Sequence, residues 1–175
     1  MAEYHRMIEA GVFGSDERLE LLEGMIVQMS PQSPRHARVI RRLCDPLLVP
    51  VPADCVAQAR LPLSIEPDSE PEPDVAVVAR AEAEARDHHP RSARLLFEVA
   101  SDSVRKDRLA KAPVYARAGI PEYVIVNLAQ DCLEVHRDAD TAAARYRTVT
   151  TLTASDRFES ATVPGFAFLV RDLLD

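Results

Sequence analysis

The segment Leu95-Leu96-Phe97-Glu98-Val99-Ala100 decides the fold of this 175-residue chain. Its residues are apolar at both alternating positions, a pattern that predicts a β-strand buried on both faces of a sheet. Glu98 is the single charge within it. An ionised carboxylate in such a strand is costly unless a cation or several hydrogen-bond donors contact it. The segment therefore predicts a central strand and marks Glu98 as the first candidate for function.

A second acidic residue opens another strand-like segment, since Asp74 directly precedes the apolar run 75–78. If the two carboxylates came within about 4 Å, they would repel each other by about 4 kcal/mol at an effective dielectric constant of 20. A proton or a bound cation has to offset that repulsion. Mg²⁺, or Mn²⁺ in its place, suits the pair because Mg²⁺ takes hard oxygen ligands and few carboxylates. A metal held in this way polarises a phosphodiester.

The patterns around these strands predict the order helix, strand, strand, strand, helix, strand. The predicted elements are a helix over 35–48, strands over 55–63, 73–78 and 95–100, a helix over 104–118 and a strand over 123–128. Pro113 is expected to kink or divide the second helix. Because that helix links two buried strands, we expect them to be parallel neighbours joined by a right-handed crossover. The class is α/β (α+β), a mixed β-sheet flanked by helices.

The flanking segments add smaller elements to this core. We expect a short helix over 1–14, a hairpin or a bent strand over 19–29, broken by Gly24, and extra strands, antiparallel and peripheral, over 133–137, 145–152 and 166–170. No repeat or low-complexity linker divides the chain. The sequence therefore predicts a single domain over 1–175, with its core at about 18–137.

The composition limits the classes of function. A net charge of −7 argues against a protein that coats nucleic acid by bulk electrostatics. The three cysteines Cys44, Cys55 and Cys132 are odd in number and lack paired spacing, which fits reduced thiols and gives no zinc signature. No signal peptide and no membrane-spanning run is visible. We expect a soluble, cytoplasmic protein.

The residue that activates water is harder to assign. A lysine two residues after Glu98 would complete a Glu-x-Lys triad, but Ala100 occupies that position. Lys111, on the following helix, is the substitute, placed to orient a water or to neutralise a phosphoryl oxygen. The plainer interpretation makes Lys111 half of an exposed pair with Asp107, four residues earlier. Asp74 alone likewise fits a turn cap, so only the combination points to hydrolysis.

Two predicted helices are rich in basic residues although the protein is acidic. Such helices could flank a phosphate backbone and position it over a metal. The candidate nucleic-acid contacts are Arg35, His36, Arg38, Arg42, Arg105 and Arg108. The alternative is that the arginines form solvated faces paired with acids and that His36 is a capping or packing residue. The chain has only nine aromatic residues and no tryptophan, so duplex DNA is favoured over single strands.

Short strings along the chain carry a family resemblance. They are Leu19-Glu20-Leu21-Leu22-Glu23-Gly24, His36, Pro73-Asp74-Val75, Phe97-Glu98-Val99-Ala100-Ser101, Asp107-Arg108-Leu109-Ala110-Lys111 and Tyr115-Ala116-Arg117-Ala118-Gly119-Ile120-Pro121-Glu122-Tyr123. Together they resemble the Uma-type endonucleases, a bacterial family of the PD-(D/E)XK, restriction-endonuclease-like superfamily. The resemblance covers roughly residues 15 to 137. Its motif order is specific although each string is short.

The resemblance implies a restriction-endonuclease-like core and a metal-dependent nuclease. It makes Asp74 and Glu98 metal ligands and gives Lys111 the part of the displaced catalytic lysine. Glu20 resembles an N-terminal acid that completes the metal shell. Ala100 departs from the family pattern, which requires Lys111 to compensate.

Three hypotheses follow. The leading one is a Mg²⁺-dependent endonuclease that hydrolyses DNA phosphodiester bonds, as a homodimer whose two sites address two strands. The second is a catalytically silent nuclease fold that binds nucleic acid or protein, which Ala100 and the acidic charge favour. The third is a metal-dependent hydrolase of a small phosphoester.

Overall fold

The computed structural model describes residues 1–14, 16–45 and 50–175. Within them the chain forms ten strands: β1 Leu19–Leu22, β2 Met25–Gln28, β3 Cys55–Gln58, β4 Val75–Ala79, β5 Leu95–Ala100, β6 Glu122–Asn127, β7 Cys132–Asp140, β8 Arg145–Leu152, β9 Arg157–Glu159 and β10 Ala167–Leu169. The six strands β3 to β8 make one mixed sheet in chain order. The pairs β1–β2 and β9–β10 are separate antiparallel ribbons.

Six short α-helices and one π-helical turn complete the described fold. They are α1 Ala2–Glu9, α2 Pro34–Leu43, α3 Arg80–Ala83, α4 Val104–Lys106, the π turn Asp107–Lys111, α5 Ala112–Arg117 and α6 Val170–Leu174. None of the described helices has the length and apolarity needed to span a membrane.

The predicted order of elements is confirmed, with the short helix α3 inserted between β4 and β5. Strands β5 and β6 are the parallel pair, with Glu98 opposite Ile125, and the other neighbouring strands of the sheet are antiparallel. The mixed α/β architecture and the buried central strand are therefore as the sequence predicts.

The sheet is covered on both faces. This explains why its central strands are apolar at both alternating positions, which face opposite sides of the sheet. One face packs Val75, Phe97 and Val99 against α2 and α6. The other packs Leu96 and Ala100 against α5. Every residue of β5 and β6 is buried. A charge in β5 therefore has to be satisfied by protein groups or by a bound ion.

Several element boundaries differ from prediction for local reasons. The strand predicted over 55–63 ends at Gln58, because Arg60 adopts a left-handed φ of 54° and Pro62 cannot donate to a sheet. The first basic helix starts at Pro34 and ends at Leu43; the predicted part at 46–48 lies outside the described residues. The second helix is divided by the π turn.

The strands after residue 128 are antiparallel as predicted, but two of them extend the central sheet. Strand β7 pairs with β6, and β8 pairs with β7 at the far edge. The strand predicted over 166–170 is shorter: it ends at Leu169, and helix α6 begins at Val170. The hairpin over 19–29 forms at Glu23 and Gly24, whose φ angles of 49° and 74° suit a two-residue turn.

Candidate active site

Asp74 and Glu98 are brought together by the antiparallel pairing of β4 and β5. Val75 lies opposite Phe97, so Asp74, one residue before β4, comes beside Glu98. Asp74 Oδ2 accepts a hydrogen bond of 2.9 Å from the Val99 backbone N–H. Both acids are buried, 5% and 4% exposed, and both line the same cleft. The spatial convergence that the sequence analysis requires is present.

Glu98 is held by two donors on the helical segment that follows β5. Lys111 Nζ and the Tyr115 hydroxyl each donate to Glu98 Oε1 at 2.8 Å. Burial raises the pKa of Glu98 well above its usual range; Lys111 opposes the shift, whereas the neighbouring acids, including Asp74, add to it. These contacts fix the carboxylate on the cleft wall.

Lys111 is a buried cation between two carboxylates. Its Nζ lies 2.8 Å from Glu98 Oε1 and 2.9 Å from Glu20 Oε2. Burial by itself would lower the pKa of Lys111, but the carboxylates of Glu98, Glu20 and Asp107 outweigh that effect and raise it. The ammonium group therefore stays charged, and it points into the protein rather than into bulk water.

Glu20 lies on β1 and contacts lysines through both of its oxygens. Besides Lys111 on Oε2, Lys106 Nζ donates to Oε1 at 3.1 Å, and the Glu72 backbone N–H donates to Oε2 at 3.3 Å. Burial raises the pKa of Glu20, but the two lysines overcome it and the net shift is downward. Glu20 is thus an ionised anchor for two lysines.

The π turn explains how Lys111 reaches the cleft. Pro113 has no N–H and cannot make the α-helical bond to the carbonyl of Leu109, and its ring crowds that carbonyl. The turn widens instead, and the Ala112 N–H bonds to the Asp107 carbonyl five residues back. Asp107 and Lys111 are consequently both buried, each 2% exposed. Such π turns are frequent at functional sites.

Asp107 is a site residue that the sequence analysis missed. It lines the cleft with Asp74 and Glu98, and the Ser103 hydroxyl donates to its Oδ2 at 3.0 Å. Burial raises the pKa of Asp107, an effect that Lys111 opposes. The signal is Pro113, because the break that it imposes on the helix changes the surroundings of Asp107.

His36 reaches the cleft from the first turn of α2. Ser33 caps this helix, since its hydroxyl accepts the His36 backbone N–H at 3.2 Å. The imidazole Nε2 lies 3.0 Å from Asp74 Oδ1. The angle at that contact is unsuitable for a hydrogen bond, and this buried nitrogen has no other hydrogen-bond partner within the described chain. Asp74 Oδ1 also lies 3.5 Å from Gln32 Nε2.

The predicted arginines bind different partners. Arg38 and Arg42 donate to the backbone carbonyls of Asp175 and Asp172 in the C-terminal segment. Arg35 donates to the Leu128 carbonyl at 2.7 Å and pairs with the Asp131 carboxylate at 2.5 Å, with a longer contact of 3.5 Å to the Leu174 carbonyl. Arg108 forms a bidentate ion pair with Glu134: its Nε donates to Oε2 at 2.7 Å and its Nη2 donates to Oε1 at 2.6 Å. Arg105 is exposed on α4. At the cleft itself the cations are Lys106, Lys111 and Arg18.

The residues present fit a small, hard divalent cation. The cleft has a volume of about 30 Å³, enough for an ion with a water molecule. Among the described residues, no three acidic, histidine or cysteine side chains converge tightly enough to enclose a metal ion. Two carboxylates in an open cleft resemble the sites of Mg²⁺, which uses few carboxylates and keeps several waters as ligands.

A mixed sheet flanked by helices is the architecture of the restriction-endonuclease-like fold class. The chain belongs to the Uma2 family, described as "Putative restriction endonuclease", whose family profile matches residues 1–171. The fold is similar to the crystal structure of a DUF820 nuclease, described as putative, from Anabaena variabilis, with a TM-score of 0.71 at 13% identity over 93% of this chain and 92% of that one. Comparison with curated proteins found no match.

Proposed function

We propose that this protein is a divalent-metal-dependent endonuclease that hydrolyses phosphodiester bonds of DNA. The observation that carries the proposal is the buried Asp74–Glu98 pair with the ammonium group of Lys111 beside Glu98. Membership of a family described as restriction endonucleases supports nucleic acid as the substrate.

Asp74 and Glu98 are the residues that would hold Mg²⁺ or Mn²⁺. The bound ion supplies charge stabilisation at the phosphoryl oxygens and acidifies a water ligand. The protein's part is to hold both carboxylates in place: the Val99 N–H fixes Asp74, and Tyr115 and Lys111 fix Glu98. Asp107 adds negative charge to the same cleft.

Lys111 is the proposed catalytic cation in place of the lysine missing at Ala100. It approaches Glu98 from a helix rather than from the strand, with its Nζ 2.8 Å from Glu98 Oε1. We assign Glu20 the role of holding Lys111 and Lys106, because both of its oxygens contact them. This role differs from the metal ligand that the family resemblance implies.

The cleft rim offers the contacts for a phosphate backbone. Arg18 and Lys106 line it, and exposed Arg105 lies next to Lys106 on α4. Contacts of this kind position the nucleic acid without reading its sequence. Duplex DNA remains the proposed substrate and two copies of the chain the proposed active form. The three free cysteines fit the cytoplasm.

The test is cleavage of supercoiled plasmid DNA with Mg²⁺ or Mn²⁺. Wild-type protein should nick and linearise the plasmid, and Asp74→Asn and Glu98→Gln should each lower the rate at least 100-fold. Glu159→Gln, at an exposed acid on β9 that does not line the cleft, is the matched control and should leave the rate unchanged. Cleavage that survives both substitutions in the cleft would reject the proposal.

A catalytically silent binding module is the second candidate, favoured by Ala100 in the lysine position. Calorimetric titration with Mn²⁺ separates the two. The nuclease binds the ion through Asp74, whereas a silent module has no requirement to bind it. Absence of both heat and cleavage would favour the module.

A further inference from the structure

We propose that β8 is the surface through which two copies of this chain associate, by antiparallel pairing of their β8 strands about a two-fold axis at Val149. Strand β8 ends the six-stranded sheet and, in the described chain, pairs only with β7. An edge strand presents a row of backbone N–H and C=O groups that a second strand can bind. Six of the eight residues of β8 are exposed.

Strand β8 lacks most of the usual devices that prevent such pairing. Proteins protect edges with short strands, charged side chains (lysine above all) or proline. Strand β8 is eight residues long, contains no lysine or proline, and carries its two charges, Arg145 and Arg147, in its first three residues. Residues 148–151 are four consecutive β-branched side chains, which suit a sheet, and Val149 is 55% exposed. The opposite edge, β3, is only four residues long.

The sequence of β8 is complementary to itself in the register centred on Val149. Registers centred on Thr150 or Thr151 also avoid opposed arginines, but the Val149 register is the one that pairs the two exposed valines with each other. With Val149 opposite Val149 of the partner subunit, Thr148 faces a threonine and Arg147 faces Thr151 of the partner subunit. No like charges are opposed, and Arg147 is already paired with Asp140 at 3.1 Å. A register centred on Arg147 would oppose two arginines, and one centred on Thr148 would set Val149 against an arginine. Like charges directly opposite destabilise a strand pair.

The pairing leaves both clefts accessible. The catalytic acids lie at β4 and β5, on the other half of the sheet from β8. A two-fold axis perpendicular to the sheet keeps both copies of Glu98 on the same face. Seven strand spacings separate β5 from its copy, about 34 Å in an untwisted sheet, close to one turn of duplex DNA. This last correspondence rests on the proposed function; the dimer itself does not.

The test measures molar mass by light scattering during gel filtration. Wild-type protein should have the mass of two chains, and Val149→Lys and Val149→Glu should each have the mass of one, because like charges then meet at the axis. The dimer dissociation constant should rise at least tenfold. An equimolar mixture of the two variants should regain the two-chain mass, since lysine then faces glutamate. Val12→Lys, at a valine 59% exposed on another surface, should remain a dimer.

A wild-type protein with the mass of one chain at all concentrations overturns the proposal. The proposal is also overturned if Val149→Lys and Val149→Glu stay dimeric, or if their equimolar mixture does not regain the two-chain mass. Circular dichroism checks that each variant is folded. If Val149→Lys or Val149→Glu does not fold, Val149→Cys decides: oxidation should yield a cross-linked dimer, because Cβ atoms in directly opposed strand positions lie about 4.5–5.5 Å apart. Absence of the cross-link beyond the wild-type background refutes the interface.

Discussion

Lys111 is a residue whose removal is expected to destabilise the fold. Its ammonium group neutralises two carboxylates that are themselves buried, Glu98 and Glu20. A buried ion pair contributes little net stability against an apolar replacement, but the loss of one partner leaves an uncompensated charge. The site therefore tolerates removal of this lysine poorly even before catalysis is considered.

We expect Lys111→Ala to lower the free energy of unfolding by about 3–5 kcal/mol. Lys106→Ala should cost less than about 1 kcal/mol, because its side chain is 25% exposed and water replaces part of its contact with Glu20. Urea denaturation measures both. Equal losses for the two lysines would contradict the assignment of Lys111 as the buried cation.

Glu20 is expected to act through the lysines rather than on the metal. In Glu20→Gln, the calorimetric Mn²⁺ affinity should stay within about twofold of wild type, while kcat for plasmid cleavage falls at least tenfold and KM changes little. Asp74→Asn should abolish Mn²⁺ binding in the same assay. Glu20→Asp should recover part of the activity if one carboxylate oxygen still reaches Lys111. Loss of Mn²⁺ binding in Glu20→Gln would instead make Glu20 a ligand, as the family resemblance implies.

His136 predicts how stability depends on pH away from the cleft. Its ring packs against Tyr123 and Tyr146 with centroids 5.4 and 5.6 Å away. Burial lowers the pKa of His136, an effect that Glu134 opposes and Arg108 reinforces. The folded state thus favours the neutral ring, so its contribution is complete above the unfolded pKa of about 6.5 and is lost as the pH falls below that value. His136→Phe should weaken this acid-induced loss, as measured by urea melts between pH 5 and 7.5; identical pH profiles would contradict it.

At the scale of elements, the helical segment after β5 depends on its proline. Pro113 blocks the regular hydrogen bond at Leu109, and the π turn that results places Asp107 and Lys111 together in the cleft. A continuous α-helix would still keep these two residues, four apart, on one face, but its tighter turn would rotate that face relative to α5 and to the cleft. The break in the helix is therefore part of how the site is assembled.

We expect Pro113→Ala to restore an N–H that can bond to the Leu109 carbonyl and to favour α-helix over the π turn. Plasmid cleavage should fall at least tenfold, while the free energy of unfolding changes by less than about 1 kcal/mol, because a gained hydrogen bond offsets the disturbed ion pairs. Pro121→Ala, beyond the helix end, is the control. Unchanged cleavage in Pro113→Ala would show that the π turn is dispensable.

The same elements show what sequence patterns could and could not predict. Glu98 stood out because a charge in a doubly apolar strand is visible from periodicity, and Asp74 because it opens the neighbouring strand. Asp107 did not stand out, because its spacing of four residues from Lys111 was interpreted on a regular helix. The partners of Arg38 and Arg42 could not be predicted either, because they are backbone carbonyls 137 and 130 residues away, and a backbone carbonyl leaves no mark on the sequence.

At the scale of the whole molecule, the basic face of α2 joins the end of the chain to its core. Arg35, Arg38 and Arg42 donate to the last carbonyls of α6 and the residue after it. These carbonyls have no partners within their own helix, and cationic side chains at a helix C-terminus also interact favourably with its dipole. The arginines thus dock α6 against the sheet face that it covers.

Two arginine substitutions distinguish docking from nucleic-acid binding. Arg42→Ala should lower the free energy of unfolding by about 1.5–3 kcal/mol, because Arg42 Nη1 bonds to the Asp172 carbonyl at 2.8 Å, and should leave DNA affinity unchanged. Arg105→Ala should leave stability within about 0.5 kcal/mol, weaken duplex binding and reduce the salt dependence of binding by about one counterion. Urea denaturation and fluorescence anisotropy with labelled duplex, in Ca²⁺ to limit cleavage, measure the two effects. If Arg42→Ala weakens DNA binding at full stability, the basic face of α2 binds the phosphate backbone after all, as the spacing of its arginines first predicts.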